Sequence, residues 1–220
     1  NTLELAILSK STFFEIKIDL GDLAKIFQKV ETKYSSEEAH YDVISAFIKS
    51  VRGSDPDAAL YYLALMLESG EDPLFIARRL IILAAEDIGL AYPEALNIAT
   101  SCCEAIERIG MPEGRIVLGM TTIFLSALPK SNSAYLAIDR AIEDLKSGNI
   151  MNVPSYLRSS SFKGAEELGR GVGYKYPHDF PMHYVNQKYT EKDVKYYFPG
   201  DLGFEKKLKD WLDKLKSKDV

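Results

Sequence analysis

Cysteine is nearly missing from this 220-residue chain: there are two, Cys102 and Cys103, and they are adjacent. Neighbouring cysteines are poorly placed to bridge each other, and no spaced framework or CxxC pair exists. A disulfide scaffold and a thiolate zinc site are therefore excluded, and a reducing compartment is expected. No apolar run approaches the roughly 20 residues that a bilayer-spanning helix needs, so no membrane partner is expected. The phosphate-cradling GxxxxGK[ST] signature is absent, as is a GxSxG nucleophile elbow. A glycine cluster does occur in LGRGVGYKY, at Gly169, Gly171 and Gly173. It follows an expected helix rather than a strand and lacks a helix N-terminus to face a phosphate, so it reads as a flexible turn. The opening NTLELAILSKSTFFEIK lacks the order of a secretory signal. It also begins without Met, in an apolar helical fragment already under way at Thr2 to Leu8, and the expectation is a chain cut from a longer one.

What is present is a soluble globular composition, 46% hydrophobic and 27% charged, long enough to bury a core. The net charge of -5 hides a division. Residues 1–149 carry 14 Lys and Arg against 22 Asp and Glu, whereas residues 150–220 carry 13 against 10 and seven of the thirteen tyrosines. Contact with a polyanion is expected in the basic tail rather than in the acidic body.

Punctuation organises the body. Val43, Ile44, Phe47, Ile48 and Val51 recur at the spacing of one helix face, and Gly53 stops that helix. Asp55-Pro56 then supplies an N-cap acceptor followed by a residue with no N–H to orphan, and Asp57 adds negative charge beside the positive end of the helix. This helix runs to about Ser69 and meets Gly70. Asp72-Pro73 opens the next, expected to continue through ARRLIILAAEDI to Gly89. Tyr92-Pro93-Glu94 opens another that Gly110 closes, Pro112-Glu113 one that Pro129 ends, and Asn132 or Ser133 one that Gly148 ends. Residues 41–148 are thus predicted to be a compact all-α array of five or six helices joined by short loops. Before it, residues 1–40 read as a helical remnant plus connector. After it, residues 149–220 read as an irregular Tyr/Pro/Gly-rich segment pinned by its aromatics, with one short helix around Phe162 to Leu168 and a last helix from Gly203.

Several constellations are weighed for chemistry. His178, His183 and Asp179 are too few and too far from the cysteines for a zinc site, and loop histidines bonded to backbone explain them. A stand-alone enzyme using that loop is the weakest reading, and Cys103 on a helix reads as a small core residue. Arg78 and Arg79 interrupt an apolar helix that ends in Glu86 and Asp87, with Arg79 and Glu86 two turns apart on one face. Exposed pairs of this kind contribute only about 0–1 kcal/mol, so a solvated stripe explains them, while the sharper reading is a subunit interface, where arginine is enriched. In the tail, Arg158, Lys163, Arg170, Lys175, Lys188 and Lys195 are interleaved with tyrosines. That pattern suits either packing of the segment or single-stranded nucleic acid stacked beside cations.

The run HYDVISAFIKSVRGSDPDAALYYLALMLESGEDPLFIARRLIILAAEDIGLAYPEAL resembles the C-terminal region of the replication-associated recombination protein A family, RarA or MgsA, which are AAA+ ATPases related to the Werner-helicase-interacting protein. The likeness continues through GMPEGRIVLGM, LPKSN, VPSYLR, ELGRGVGYKYPHDF and YYFPGDLGFEKKLKDWL, about 180 residues in order. It implies that residues 1–40 are the end of the AAA+ lid subdomain and that 41–148 form an oligomerisation domain similar to the clamp-loader collar, assembling a homotetramer. It implies as well that ATP and Mg belong to the preceding core of the full-length protein, a DNA-dependent ATPase of the cytoplasm and nucleoid acting at stalled forks with DNA and other replication proteins. No catalytic, cofactor-binding or metal-binding residue is expected in this chain itself. The resemblance gives the polar joints RGSDP and GEDP weight beyond capping, so the candidate subunit-interface residues are Arg52, Asp55, Arg78, Arg79, Glu86 and Asp87. The tail cations are the candidate DNA contacts of an alternative reading, a DNA-binding module.

Overall fold

A computed structural model of the chain describes residues 37–217, so the lid remnant and connector expected over residues 1–40 lie outside the described residues except for 37–40. Among the described residues there is no strand. The described residues form seven α-helices: α1 Glu37–Arg52, α2 Pro56–Glu68, α3 Pro73–Leu83, α4 Glu94–Ile109, α5 Gly114–Ala127, α6 Ser133–Lys146 and α7 Gly203–Ser217. The fold is all-α, and six of these helices fall in the body, as the punctuation predicts.

The joints form for the expected reasons. Asp55 accepts from the Ala58 N–H at 2.9 Å, and Asp72 accepts from the Leu74 and Phe75 N–H groups at 3.0 and 3.1 Å. Each carboxylate satisfies donors that the first turn leaves orphaned. Three expectations are corrected. The helix opened by Asp72-Pro73 does not run regularly to Gly89: α3 stops at Leu83, a π turn spans Ala84–Ile88 and a 3-10 turn spans Gly89–Ala91. Gly89 takes φ +46° there, and a Cβ on it would lie 2.6 Å from the Ser131 carbonyl oxygen. The helix expected from Pro112-Glu113 begins instead at Gly114. The short helix around Phe162 to Leu168 is a string of turns, with Leu168 N–H bonded to Ala165 O and Gly169 N–H to Glu166 O. Gly164 at φ +85° takes the chain out of the right-handed helical region inside that stretch.

The chain divides into two compact units. In the first, residues 37–83 with Asn97–Leu128, α5 packs on α1, α2 and α3, and α1 packs on α2. Phe47, Val51, Leu63, Met66, Ile76, Leu80, Leu118 and Leu125 are fully or almost fully buried, and each large apolar side chain contributes about 1.5–3 kcal/mol on removal from water. The smaller Ala59, Ala77 and Ala99 fill the places where helices approach closely. The second unit is Ala84–Leu96 with the chain from Pro129 onward. Here α6 packs on both the π and 3-10 turns, and α7 packs on the 3-10 turn. The Ser131 N–H donates to the Asp87 carbonyl oxygen at 2.7 Å, which fixes the entry of α6.

Candidate functional site

The first unit carries four of the six interface candidates. Asp55 is committed to its cap. Arg78 reaches back to Asp72 at 3.3 Å and stands 5.9 Å from the Phe75 ring centre, while the Arg79 guanidinium lies closer, 4.8 Å over the same ring. Glu71 pairs with His40 at 2.7 Å. Arg52 and Arg79 are brought together as lining of one cleft, which also takes Tyr41, Lys49 and the α1 residues between them. Lys49 was not singled out by sequence, although its spacing from Tyr41 and Arg52 along one face of α1 was readable.

Glu86 and Asp87 fall in the second unit, in the π turn, where Asp87 is buried and Glu86 half-buried. The two-turn spacing that placed Arg79 and Glu86 on one helix face assumes a regular helix, and the π turn removes that premise. Burial holds the Lys130 ammonium below its ordinary pKa, opposed by the nearby Asp87 charge.

The most tightly built polar arrangement in this unit was not anticipated. Glu205, in the first turn of α7, is wholly buried. Its carboxylate accepts hydrogen bonds from the hydroxyls of Ser131, Ser133 and Tyr197, the last at 2.9 Å, and from the Gly200 N–H. Burial alone would raise its pKa, yet these four donors outweigh it and hold the carboxyl below its ordinary range. Burial, with the Glu205 charge beside it, pushes the Tyr197 phenol up to about 12. Close beneath, Gly203 has φ +58°, and a Cβ there would come within 2.1 Å of the Ala91 carbonyl oxygen.

Helix α6 presents a second feature. Tyr135, Ile138, Ile142 and Leu145 recur at helical spacing and all are exposed, Ile138 and Leu145 at 57% and 55%. An amphipathic surface helix normally turns such a stripe inward.

The tail cations do not form one patch. The Arg158 Nε donates to the Val153 carbonyl at 2.8 Å, Arg170 lies 5.3 Å over Phe162, and Lys195 lies 4.8 Å over Phe198, which Arg140 also approaches at 5.0 Å. Lys188 pairs with Asp193 at 3.4 Å. Lys163 and Lys175 are exposed, Lys175 with its backbone bracketed by Gln187. The tyrosines act partly as fasteners: Tyr156 donates to the Lys188 carbonyl and Tyr196 to Asp144, each at 2.5 Å. The His178 and His183 ring centres lie 4.8 Å apart with the rings tilted at 49°, and no group of three or more side chains that could hold a metal occurs among the described residues. Cys102 is buried in the first unit with its thiol pushed up by burial. Among the described residues no helix is long and apolar enough to cross a membrane.

Comparison with known proteins places this geometry. The family described as MgsA AAA+ ATPase C terminal matches residues 53–216, and the AAA C-terminal domain matches residues 1–52. Replication-associated recombination protein A of Bacillus subtilis is 48% identical over 98% of this chain and 52% of its own length. The protein of the same name in Escherichia coli K12 is 38% identical over 81% of this chain and 41% of its own. ATPase WRNIP1 of Dictyostelium discoideum is 35% identical over 82% of this chain and 21% of its own. The chain spans about half, or less, of the length of these relatives.

Proposed function

Given that the chain belongs to the MgsA AAA+ ATPase C-terminal family, we propose that it is the self-associating, regulatory module of an ATPase that works in replication-associated recombination at stalled forks. The observation that carries the reading is the α6 stripe. Four large apolar side chains on one side of a helix, each 42% exposed or more, expose an area whose burial is worth about 25 cal/mol per Å². Copies of one chain meeting through such a stripe bury it symmetrically, and closed symmetric assemblies are the common outcome. In this reading the assembly is a tetramer. ATP and Mg are bound by the upstream core of the longer protein, and the module sets how many cores act together on DNA, in the cytoplasm and at the nucleoid, beside other replication proteins.

Light scattering of the 220-residue chain tests this. The chain should give a mass above that of the monomer at high micromolar concentration, and Ile138→Asp with Ile142→Asp should return it to the monomer with its helix content kept. A wild-type chain that stays monomeric would refute the reading.

A second reading rests on a different observation: Lys175 is exposed between the likewise exposed Tyr174 and Tyr176, and Gln187 ties its backbone to the hydroxyl of exposed Tyr189. Cations beside open aromatic rings suit single-stranded DNA. Salt-dependent DNA binding that is lost on Lys175→Ala with Lys188→Ala would support the tail as a DNA-binding module, and binding that persists unchanged would remove it.

A further inference from the structure

The C-terminal segment brings two histidines together. Pro177 and Pro181 each open a 3-10 turn, Pro177–Asp179 and Pro181–His183, and each turn presents one imidazole at the surface. The ring centres lie 4.8 Å apart with the planes at 49°, neither the offset stack nor the edge-to-face pair in which rings normally pack. Their approach depends on an uncommon backbone. Met182 and His183 are consecutive non-glycine residues at φ 56° and 53°, a region that L residues other than glycine rarely enter. The His183 N–H donates to the Phe180 carbonyl at 3.0 Å and the Tyr184 N–H to that of Pro181 at 3.3 Å, which holds the reversal in place. The backbone bonds expected of these imidazoles are not made: neither ring has a hydrogen-bond or ion-pair partner among the described residues.

We infer that His178 and His183 together bind one divalent transition-metal ion of the zinc class, each through one imidazole nitrogen. Two imidazoles that share an ion, with nitrogens about 2.0–2.1 Å from it and roughly 90–110° apart, have ring centres about 4.5–5.2 Å apart. The observed spacing falls within that range. Neutral imidazole suits zinc, copper and nickel, whereas magnesium and calcium take oxygen ligands. No third His, Cys, Asp or Glu side chain joins the pair among the described residues. Water therefore fills the remaining positions, and the ion is exchangeable, unlike a structural zinc held by four protein ligands. Its effect is local: it clamps the second 3-10 turn onto the first and fastens residues 176–184. The inference goes beyond the self-association reading and uses neither the α6 stripe nor the tail cations.

The test is isothermal titration of the 220-residue chain with zinc chloride, read beside the histidine ring resonances in NMR spectra. The chain has three histidines, so each resonance is assigned by substitution. One zinc per chain should bind, moving the His178 and His183 resonances together and leaving that of His40, which pairs with Glu71 at 2.7 Å, in place. A hydrogen-bond partner of a metal ligand is worth about 10–100-fold in affinity and a ligand at least as much, so His178→Gln or His183→Gln should weaken binding by at least about tenfold. Either substitution should also free the remaining ring of its response to zinc. Both rings lie in exposed turns, and circular dichroism verifies that the variants stay folded. His40→Gln should bind as the wild type does, and magnesium chloride should move neither resonance. Absence of zinc binding, a shift of only one of the two rings, or an affinity unchanged by His178→Gln overturns the assignment. So does binding that survives in both histidine variants and is lost on Cys103→Ser, which would place the ion at the cysteines.

Discussion

Replacing Glu205 by alanine removes the acceptor shared by three hydroxyls and one backbone N–H. Hydrogen bonds to a charged group are worth about 1.5–3 kcal/mol each, and the set is opposed by several kcal/mol for taking a carboxylate out of water. Four bonds less that desolvation leave a net loss of about 3 kcal/mol on Glu205→Ala. Glu205→Gln keeps the shape, and the serine and tyrosine hydroxyls can reorient to meet it, so its cost should be nearer 1 kcal/mol. The assay is favoured by composition: the chain's single tryptophan, Trp211, lies on α7 itself. Urea unfolding followed by Trp211 fluorescence reports on α7, while circular dichroism reports on all the helices. In Glu205→Ala the tryptophan transition should move to lower urea and precede the dichroism transition. The pH dependence has two limbs. The Glu205 carboxyl lies below its ordinary value when folded, so its stabilisation is whole above the unfolded value of about 4.5 and is lost as pH falls through the folded one. Tyr197 is raised from 10.0 to about 12, so its contribution is whole below 10.0 and is lost as pH rises toward 12. Glu205→Gln should abolish the acid limb. Equal urea midpoints for Glu205→Ala and wild type, within about 0.5 kcal/mol, would refute the account of α7 docking.

Two further substitutions probe the backbone. Gly203→Ala puts a Cβ 2.1 Å from the Ala91 carbonyl oxygen at a position of positive φ. It should cost more than about 1–2 kcal/mol from conformation alone and increase acrylamide quenching of Trp211, which is 46% exposed in the folded chain, without changing the first unit. Asp72→Ala leaves the Leu74 and Phe75 N–H groups without their cap and should lower the thermal midpoint by an amount corresponding to about 1–2 kcal/mol, measured by calorimetry.

Much of the body was legible because its signals are local. A cap acceptor, a proline at the first helical position and a glycine at the end act within a few residues, so α2, α4 and α6 begin and end within a residue or two of where the sequence places them, and α7 begins at the Gly203 expected for it. Where the outcome depends on a distant partner, the reading failed. Nothing between Arg78 and Gly89 announces a π turn; its cause lies some forty residues on, where the Ser131 backbone approaches Gly89 and Asp87. FKGAEEL has good helix formers, but Gly164 and the later glycines favour turns, and propensity alone does not decide such a short stretch. Nothing in the sequence sets Glu205 apart from the other acids of α7, because its three hydroxyl donors come from residues 131, 133 and 197. The exposed α6 stripe was different, since its periodicity was present in the sequence and what could not be read was that it faces outward.

The second unit shows why a change in composition is a poor guide to where a folded unit begins. The chain turns basic, tyrosine-rich and irregular after Gly148, yet half of the donors that hold α7 lie before that point. Ser131 and Ser133 supply two donors to Glu205, and Ala91 supplies the surface against which only a glycine at 203 fits. A segment starting at residue 149 would carry the Glu205 carboxylate with Tyr197 and Gly200 alone, and burying it on those terms would cost more than its remaining bonds return. The stretch from Ala84 to Leu96 therefore has two roles: it is a joint in the helical array by sequence and the floor of the C-terminal segment by packing. Its irregular π and 3-10 turns follow from the second role. A regular helix there would place Asp87 and Gly89 on a 3.6-residue spiral, and the Ser131 N–H would lose the carbonyl oxygen that it now meets at 2.7 Å.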